Sequence, residues 1–328
     1  MYNVSSLFNN YVSLPDREVR AKVVIGESTY FPITYSDSKI IEFDIEELLT
    51  DDSTFKIGSV VANKLIVKVR ANETVAANSQ LSPYLQLTGK EGDTEWVPCG
   101  KFYVDTRAIN RGVHEFIAYD RLIYSNQKFN SSLTYPASMQ QVLAEILNIL
   151  EIEADESVVI DASYDIPYKD EDITINEMLS YIASAHAACF KMSRDGKLRM
   201  VRPQSNLGTY NIKMNIYSKI TKTNPKKVYR KLRCIYNTDG EYLEIGEGSD
   251  DETLEFTNLY ISEAMLTDIY NQLKDFEYIP ISMPWKGNPA LEVGDSMQIN
   301  DISQLTWEDA SMPWKDANIP WNGETTIK

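Results

Sequence analysis

The feature that most constrains this chain is a period-two alternation of apolar and polar side chains. It is clearest in Glu18-Val-Arg-Ala-Lys-Val-Val-Ile25 and in Asn63-Lys-Leu-Ile-Val-Lys-Val-Arg-Ala71. Successive side chains of a strand point to opposite faces, so this alternation predicts half-buried strands and excludes helices there. Short apolar runs broken by acidic and glycine turns follow between residues 39 and 63. Gly100-Lys-Phe-Tyr-Val-Asp-Thr-Arg-Ala-Ile109 and His114-Glu-Phe-Ile-Ala-Tyr119 then add two more strands. Five or more short strands with turns between them predict a barrel or sandwich over residues 1–125.

The pattern changes after Asn130. Met139, Val142, Leu143, Ile146, Leu147 and Leu150 recur at helical spacing and fall on one face. A second helix starts at Thr174, where Thr-Ile-Asn-Glu177 forms a capping box and Ile173 can staple against Met178. Its apolar face is expected to run through Leu179, Ile182, Cys189 and Phe190, with His186 inside the helix. Cys189 to Pro203 then reads as a hairpin turning at Asp195-Gly196. Residues 126–202 are thus expected to be a small α+β unit. From 203 to 302 strand patterning returns, with a hairpin at Asp239-Gly240 and a helix after Ser262 stapled by Ile261 and Leu266. The expected class is α+β and β-rich.

A tail of different character occupies residues 303–328. Met283-Pro-Trp-Lys286 recurs there as Met312-Pro-Trp-Lys315, with Ile319-Pro-Trp321 close behind. Each proline removes a backbone donor and restricts its predecessor, so no regular helix fits. The segment is either an extended arm docking its tryptophans on a neighbour or a flexible terminus.

Composition narrows the function classes. The 328 residues carry 48 acidic against 32 basic side chains, a net charge of −16. Attractive binding to a phosphate backbone draws on Lys and Arg displacing counterions, so a nucleic-acid binder is disfavoured. Cys99, Cys189 and Cys234 are odd in number and widely spaced, which predicts no disulfide framework and a reducing compartment. No basic start with an apolar h-region opens the chain, and no apolar stretch reaches the length of a membrane span. Neither secretion by a cleaved signal nor a membrane span is therefore expected.

Chemistry-bearing constellations are sparse. His114 and His186 are the only histidines, and no His-x3-His or paired cysteine suggests zinc. His186 and Cys189 read as packing residues; a Ser-His-Asp triad stays open, because only the fold assembles one. The acidic runs Asp44, Glu46, Glu47, Asp51, Asp52 and Glu247, Asp250, Asp251, Glu252 lack the alternation and central glycine of a calcium loop. Paired acids of a glycosidase would need a fixed separation, and solvated turns or a charged surface are the simpler reading. Gly246-Glu247-Gly248 is too short for a dinucleotide fingerprint. No catalytic, cofactor-binding or metal-ligating residue is assigned, and no cofactor is expected.

Several segments together resemble the baseplate hub or tail-tip proteins of phages, including the structural N-terminal part of tail-associated lysins. RAKVVIG at 20–26, the acidic run, IGSVVANKLIVKV at 57–69, GKFYVDTRAI at 100–109 and EFIAYDRLIY at 115–124 resemble that family's first tube-like domain. FKMSRDGKLRM at 190–200 resembles its middle domain, and Trp285-Lys-Gly-Asn-Pro-Ala-Leu-Glu-Val-Gly-Asp295 its closing stretch. The likeness covers residues 18 to 302.

The resemblance implies two tube-like β-barrel or sandwich domains flanking the small α+β domain. It implies a homotrimer whose six similar faces meet a hexameric tail tube or distal tail protein, with a three-fold spike or tip protein attached below. DNA would pass through a central channel without specific binding, repelled by carboxylates on the wall. The place would be the tail of a virion or tail-like particle assembled in the bacterial cytoplasm. Two alternatives stand beside it. A carbohydrate or receptor binder could stack sugars on Trp285, Trp307, Trp314 and Trp321. A cell-wall hydrolase would need a catalytic domain that the 26 residues after 302 are too few to form.

Overall fold

The computed structural model describes all residues except 15, 33–37, 52–53, 71–74, 77, 204–209, 213–216, 218, 223–226, 275, 279 and 300–328. The alternating segments near the N-terminus close into a barrel of seven strands. These are β1 (Glu18–Ile25), β2 (Ser28–Pro32), β3 (Ser38–Glu46), β4 (Lys64–Arg70), β5 (Gln80–Gly89), β6 (Phe102–Asn110) and β7 (Val113–Tyr119). The order around the ring is β1-β2-β3-β4-β7-β6-β5, and β5 returns to β1 over the full register Glu18↔Thr88 to Ile25↔Leu81. The β2–β3 joint is parallel; the other six are antiparallel. Inward side chains, among them Val23, Leu65, Val67, Val69, Leu81, Phe102 and Phe116, fill the interior as one apolar core. The barrel is a packed core and not a pore.

Residues 1–17, which strand patterning leaves unassigned, contain a short helix, α1 (Ser6–Val12), capped by the Ser5 hydroxyl. Phe8, Tyr11 and Val12 pack on Leu87 and Val97 outside the barrel, and Ala290 joins them from the far end of the chain.

Beyond the barrel, α2 (Met139–Leu150) and α3 (Ile175–Ala185) share a core with the hairpin of β8 (Cys189–Met192) and β9 (Leu198–Val201). Both helices start on a reciprocal capping box, Ser138 with Gln141 and Thr174 with Glu177. Ile173 and Met178 are both buried in this core, as a staple requires. One expectation is corrected here. The helix ends at Ala185, His186 is its C-cap, and Cys189 and Phe190 belong to β8. Ala187 takes a positive φ of 51° to make this turn. Helical apolar spacing runs past the break because Cys189 and Phe190, the first two residues of β8, are also apolar and buried.

The link between β3 and β4 ties the barrel to this unit. Phe190 N–H donates to Ser59 O at 2.9 Å, and Gly58 N–H to Ala188 O at 2.7 Å. At the same junction the Asp120 carboxylate caps the turn after β7, accepting from Asn63 N–H at 2.8 Å and Leu122 N–H at 3.0 Å. Burial pushes its pKa up to about 7, against the pull of those two N–H groups. A folded pKa above the unfolded one means the folded chain holds a proton that the unfolded chain has released. This contribution to stability is full below about pH 4 and is lost as pH rises to 7. The carboxyl 13C resonance of Asp120 is expected to titrate near pH 7; a midpoint near 4 would contradict this environment.

The third region centres on β10 (Lys231–Ile235), with β11 (Tyr242–Gly246) antiparallel on one side and β12 (Thr253–Thr257) parallel on the other. The Asp239-Gly240 hairpin joins β10 to β11. The helix α4 (Glu263–Leu273) lays Leu266, Ile269 and Leu273 on Leu232, Cys234, Leu254 and Phe256. Two- and three-residue ladders pair 210–212 with 297–299, 221–222 with 281–282, and 227–228 with 277–278. Among the described residues these strands form separate small sheets, without the closed ring seen in the first region.

Candidate functional site

The residues singled out for chemistry are spent on structure. His114 is buried in β7 inside the barrel. His186 has both ring nitrogens engaged: Nδ1 meets Ile182 O at 2.7 Å, and Nε2 accepts from Asp161 N–H at 2.9 Å. Nε2 must therefore be unprotonated, and burial holds the pKa below the usual histidine value. Beside it, Tyr164 donates to Asp268 at 2.7 Å across an open hollow of about 430 Å³. Cys99 and Cys189 are pushed up to about 11 and Cys234 to about 12, in each case by burial, so none is a thiolate near neutrality.

Acidic residues fall on turns and on the barrel's outer face. Asp250–Glu252 form an exposed single turn, and Glu252 pairs with Arg230 at 3.0 Å. In the barrel, Lys68 lies between Glu42 at 2.6 Å and Glu115 at 3.6 Å. Lys68 thus sits in a cross-strand row of alternating charge over β3, β4 and β7. Asp52 and the tryptophans 307, 314 and 321 lie outside the described residues.

The most built polar site gathers around residues 285–295. The Trp285 ring lies 6.2 Å from that of Tyr210. The buried Arg17 guanidinium donates to Lys286 O at 2.8 Å and to Gly287 O. Arg194, from the β8–β9 turn, donates to the carbonyls of Pro289 and Leu291. Asn288 turns the backbone by accepting from Ala290 N–H at 2.9 Å. Arg199 of β9 reaches Glu292 at 2.8 Å, with both side chains only 10% exposed. Asp295 accepts from Glu292 N–H at 2.8 Å and from the Met1 amine at 2.6 Å. Gly294 has φ +95°, and a Cβ there would sit 2.5 Å from Val201 Cγ1.

Charge-assisted bonds to backbone carbonyls are strong and directional. Here they fasten the end of the third region to the N-terminal helix, the barrel and the β8–β9 hairpin at one place. The arrangement fixes geometry between regions. Gly287-Asn288-Pro289 and Gly294-Asp295 carry turn chemistry in the sequence itself, whereas nothing there points to Arg17, Arg194 or Arg199. No local signal marks an arginine as the partner of a turn some 100 to 270 residues away.

No protein-family model and no curated protein matches the chain. Among solved structures, the tail protein from Neisseria meningitidis MC58 aligns over 86% of each chain with a TM-score of 0.52 at 9% identity. The 43 kDa tail protein of prophage MuSo2 from Shewanella oneidensis aligns over 75% of this chain and 74% of its own with a TM-score of 0.45 at 11% identity. The chain thus shares its fold with the Neisseria protein across most of both lengths. No helix among the described residues is long and apolar enough to cross a membrane.

Proposed function

We propose that the chain is a structural subunit of a phage tail or tail-like particle, and more specifically a trimeric hub that joins a six-fold tube to three-fold tip components. The observation that carries this reading is the fold shared over 86% of both chains with a protein described as a tail protein. The same order of regions, a β barrel, an α+β unit and a second β-rich region, underlies the sequence resemblance to hub proteins.

Two features of the molecule support an assembly role. The arginine-pinned closing stretch holds the regions in fixed relation, as a load-transmitting subunit requires. The barrel is also packed through its middle, so any channel for DNA runs between copies of the chain and not through one. Each copy presents its two β-rich regions as paired faces, which is how three copies match a six-fold ring. The net charge of −16 keeps passing DNA from adhering.

Electron microscopy of the purified chain tests this directly. Three-fold rings with an open centre are the expected particles. Isolated single subunits, or closed assemblies without an axial opening, count against the hub.

A further inference from the structure

His186 does more than end α3. Among the described residues it makes the one hydrogen bond that ties residues 160–163 to the rest of the chain, accepting at Nε2 from Asp161 N–H at 2.9 Å. On either side the chain is anchored by other groups. Arg202 donates to Val159 O at 3.0 Å, and Tyr164 O accepts from Met139 N–H at 2.8 Å. Between these anchors Asp161, Ala162 and Ser163 are exposed, while Ile160 is half-buried against the helical core. The Asp161 carboxylate is turned on its own segment, accepting from Ser163 N–H at 2.8 Å and from Ser163 Oγ at 2.6 Å.

We propose that His186 is a pH-sensitive latch, whose protonation at Nε2 releases residues 160–163 from the end of α3. The bonding of the ring gives the reason. Nδ1 faces Ile182 O at 2.7 Å, a contact that uses its proton, so Nε2 accepts only while the ring is neutral. A proton on Nε2 would set a donor against the Asp161 donor. Arg202, just after β9, opposes that proton with a like charge. Asp161 favours it, but its carboxylate is engaged by Ser163. From the remaining sides come Tyr164, whose ring lies 5.1 Å away, and Asp268 of α4, which accepts the Tyr164 hydroxyl. Burial is the largest influence and holds the histidine below its ordinary value of 6.5. The latch is therefore closed above about pH 6.5 and opens as pH falls through the lowered folded value. This concerns one chain alone and does not depend on the tail role.

Hydrogen exchange of the full-length chain, read at the Asp161 amide and corrected for the intrinsic pH dependence of exchange, tests the latch. Protection of Asp161 is expected to fall at least tenfold between about pH 7.5 and about pH 5, the range in which histidine changes charge. The amides of Met139 and Phe190, in the same α+β unit, should keep theirs. The fall should share its midpoint with the titration of the His186 ring, followed at 13Cε1. His186→Gln, which carries an acceptor but does not titrate, should remove the pH dependence at Asp161. The proposal is overturned if Asp161 protection is flat with pH, if its midpoint differs from that of the ring, or if Met139 and Phe190 lose protection with it. An equal fall in His186→Gln also overturns it.

Discussion

Glu292→Ala is expected to destabilise the folded chain by about 3–5 kcal/mol, the cost of leaving one member of a buried ion pair uncompensated. Glu292 receives Arg199 at 2.8 Å, and both side chains are 10% exposed. With Glu292 gone, the remaining carboxylate near Arg199 is that of Asp295 at 3.9 Å, which already accepts the Met1 amine and the residue-292 N–H. The loss therefore falls on a guanidinium with little water to replace its partner. It should also loosen Arg194, whose backbone N–H points to Glu292 at 3.4 Å and whose side chain holds the two carbonyls before it. Urea unfolding would read this as a lower midpoint with the slope retained. A loss under 1 kcal/mol would mean that the closing stretch is held mainly by its backbone contacts.

Gly246→Ala should cost about 2–5 kcal/mol, adding the strain of a left-handed backbone to that of overpacking. Gly246 ends β11 with φ +88°, and an added Cβ would collide with the Arg230 carbonyl oxygen and lie 2.6 Å from Tyr270 Cε2 of α4. The first obstacle is backbone and cannot rotate away. Gly240, in the β10–β11 turn, is the matched control. Its φ is +81°, but nothing lies within 4 Å of its would-be Cβ. Gly240→Ala should thus cost only the backbone part, about 1–2 kcal/mol. Equal losses at the two glycines, measured by the same urea titration, would refute the close approach of α4 to β11.

The contrast between these glycines also shows what the sequence could carry. Asp239-Gly240 between alternating strands announces a hairpin, because its turn chemistry is local. Gly246 gives no such signal, since its need for a missing side chain comes from Tyr270 and Arg230 across the fold. Alternation in β1, β4, β6 and β7, the Thr174 capping box and the α4 staple were legible for the same reason as Gly240. Barrel closure was not: β1 meets β5 some 56 to 70 residues along the chain, and period-two patterning says nothing of partners. The end of α3 is hidden because apolar residues at helical spacing continue past His186 into Cys189 and Phe190 of β8. The short α1 escaped because its seven residues show too few apolar positions to define a face. The candidate site followed the same division. Its turns were visible in Gly-Asn-Pro and Gly-Asp, while the arginines that hold them became apparent only in three dimensions.

The proposed hub requires copies of this chain to assemble around an axis, which native mass spectrometry of the purified protein reads as a mass. One chain has a mass of 37.4 kDa, so a trimer would register at three times that value, about 112 kDa. A dominant trimer across dilution is the predicted result. A monomer at every concentration, with no ring recovered by microscopy, would contradict the hub.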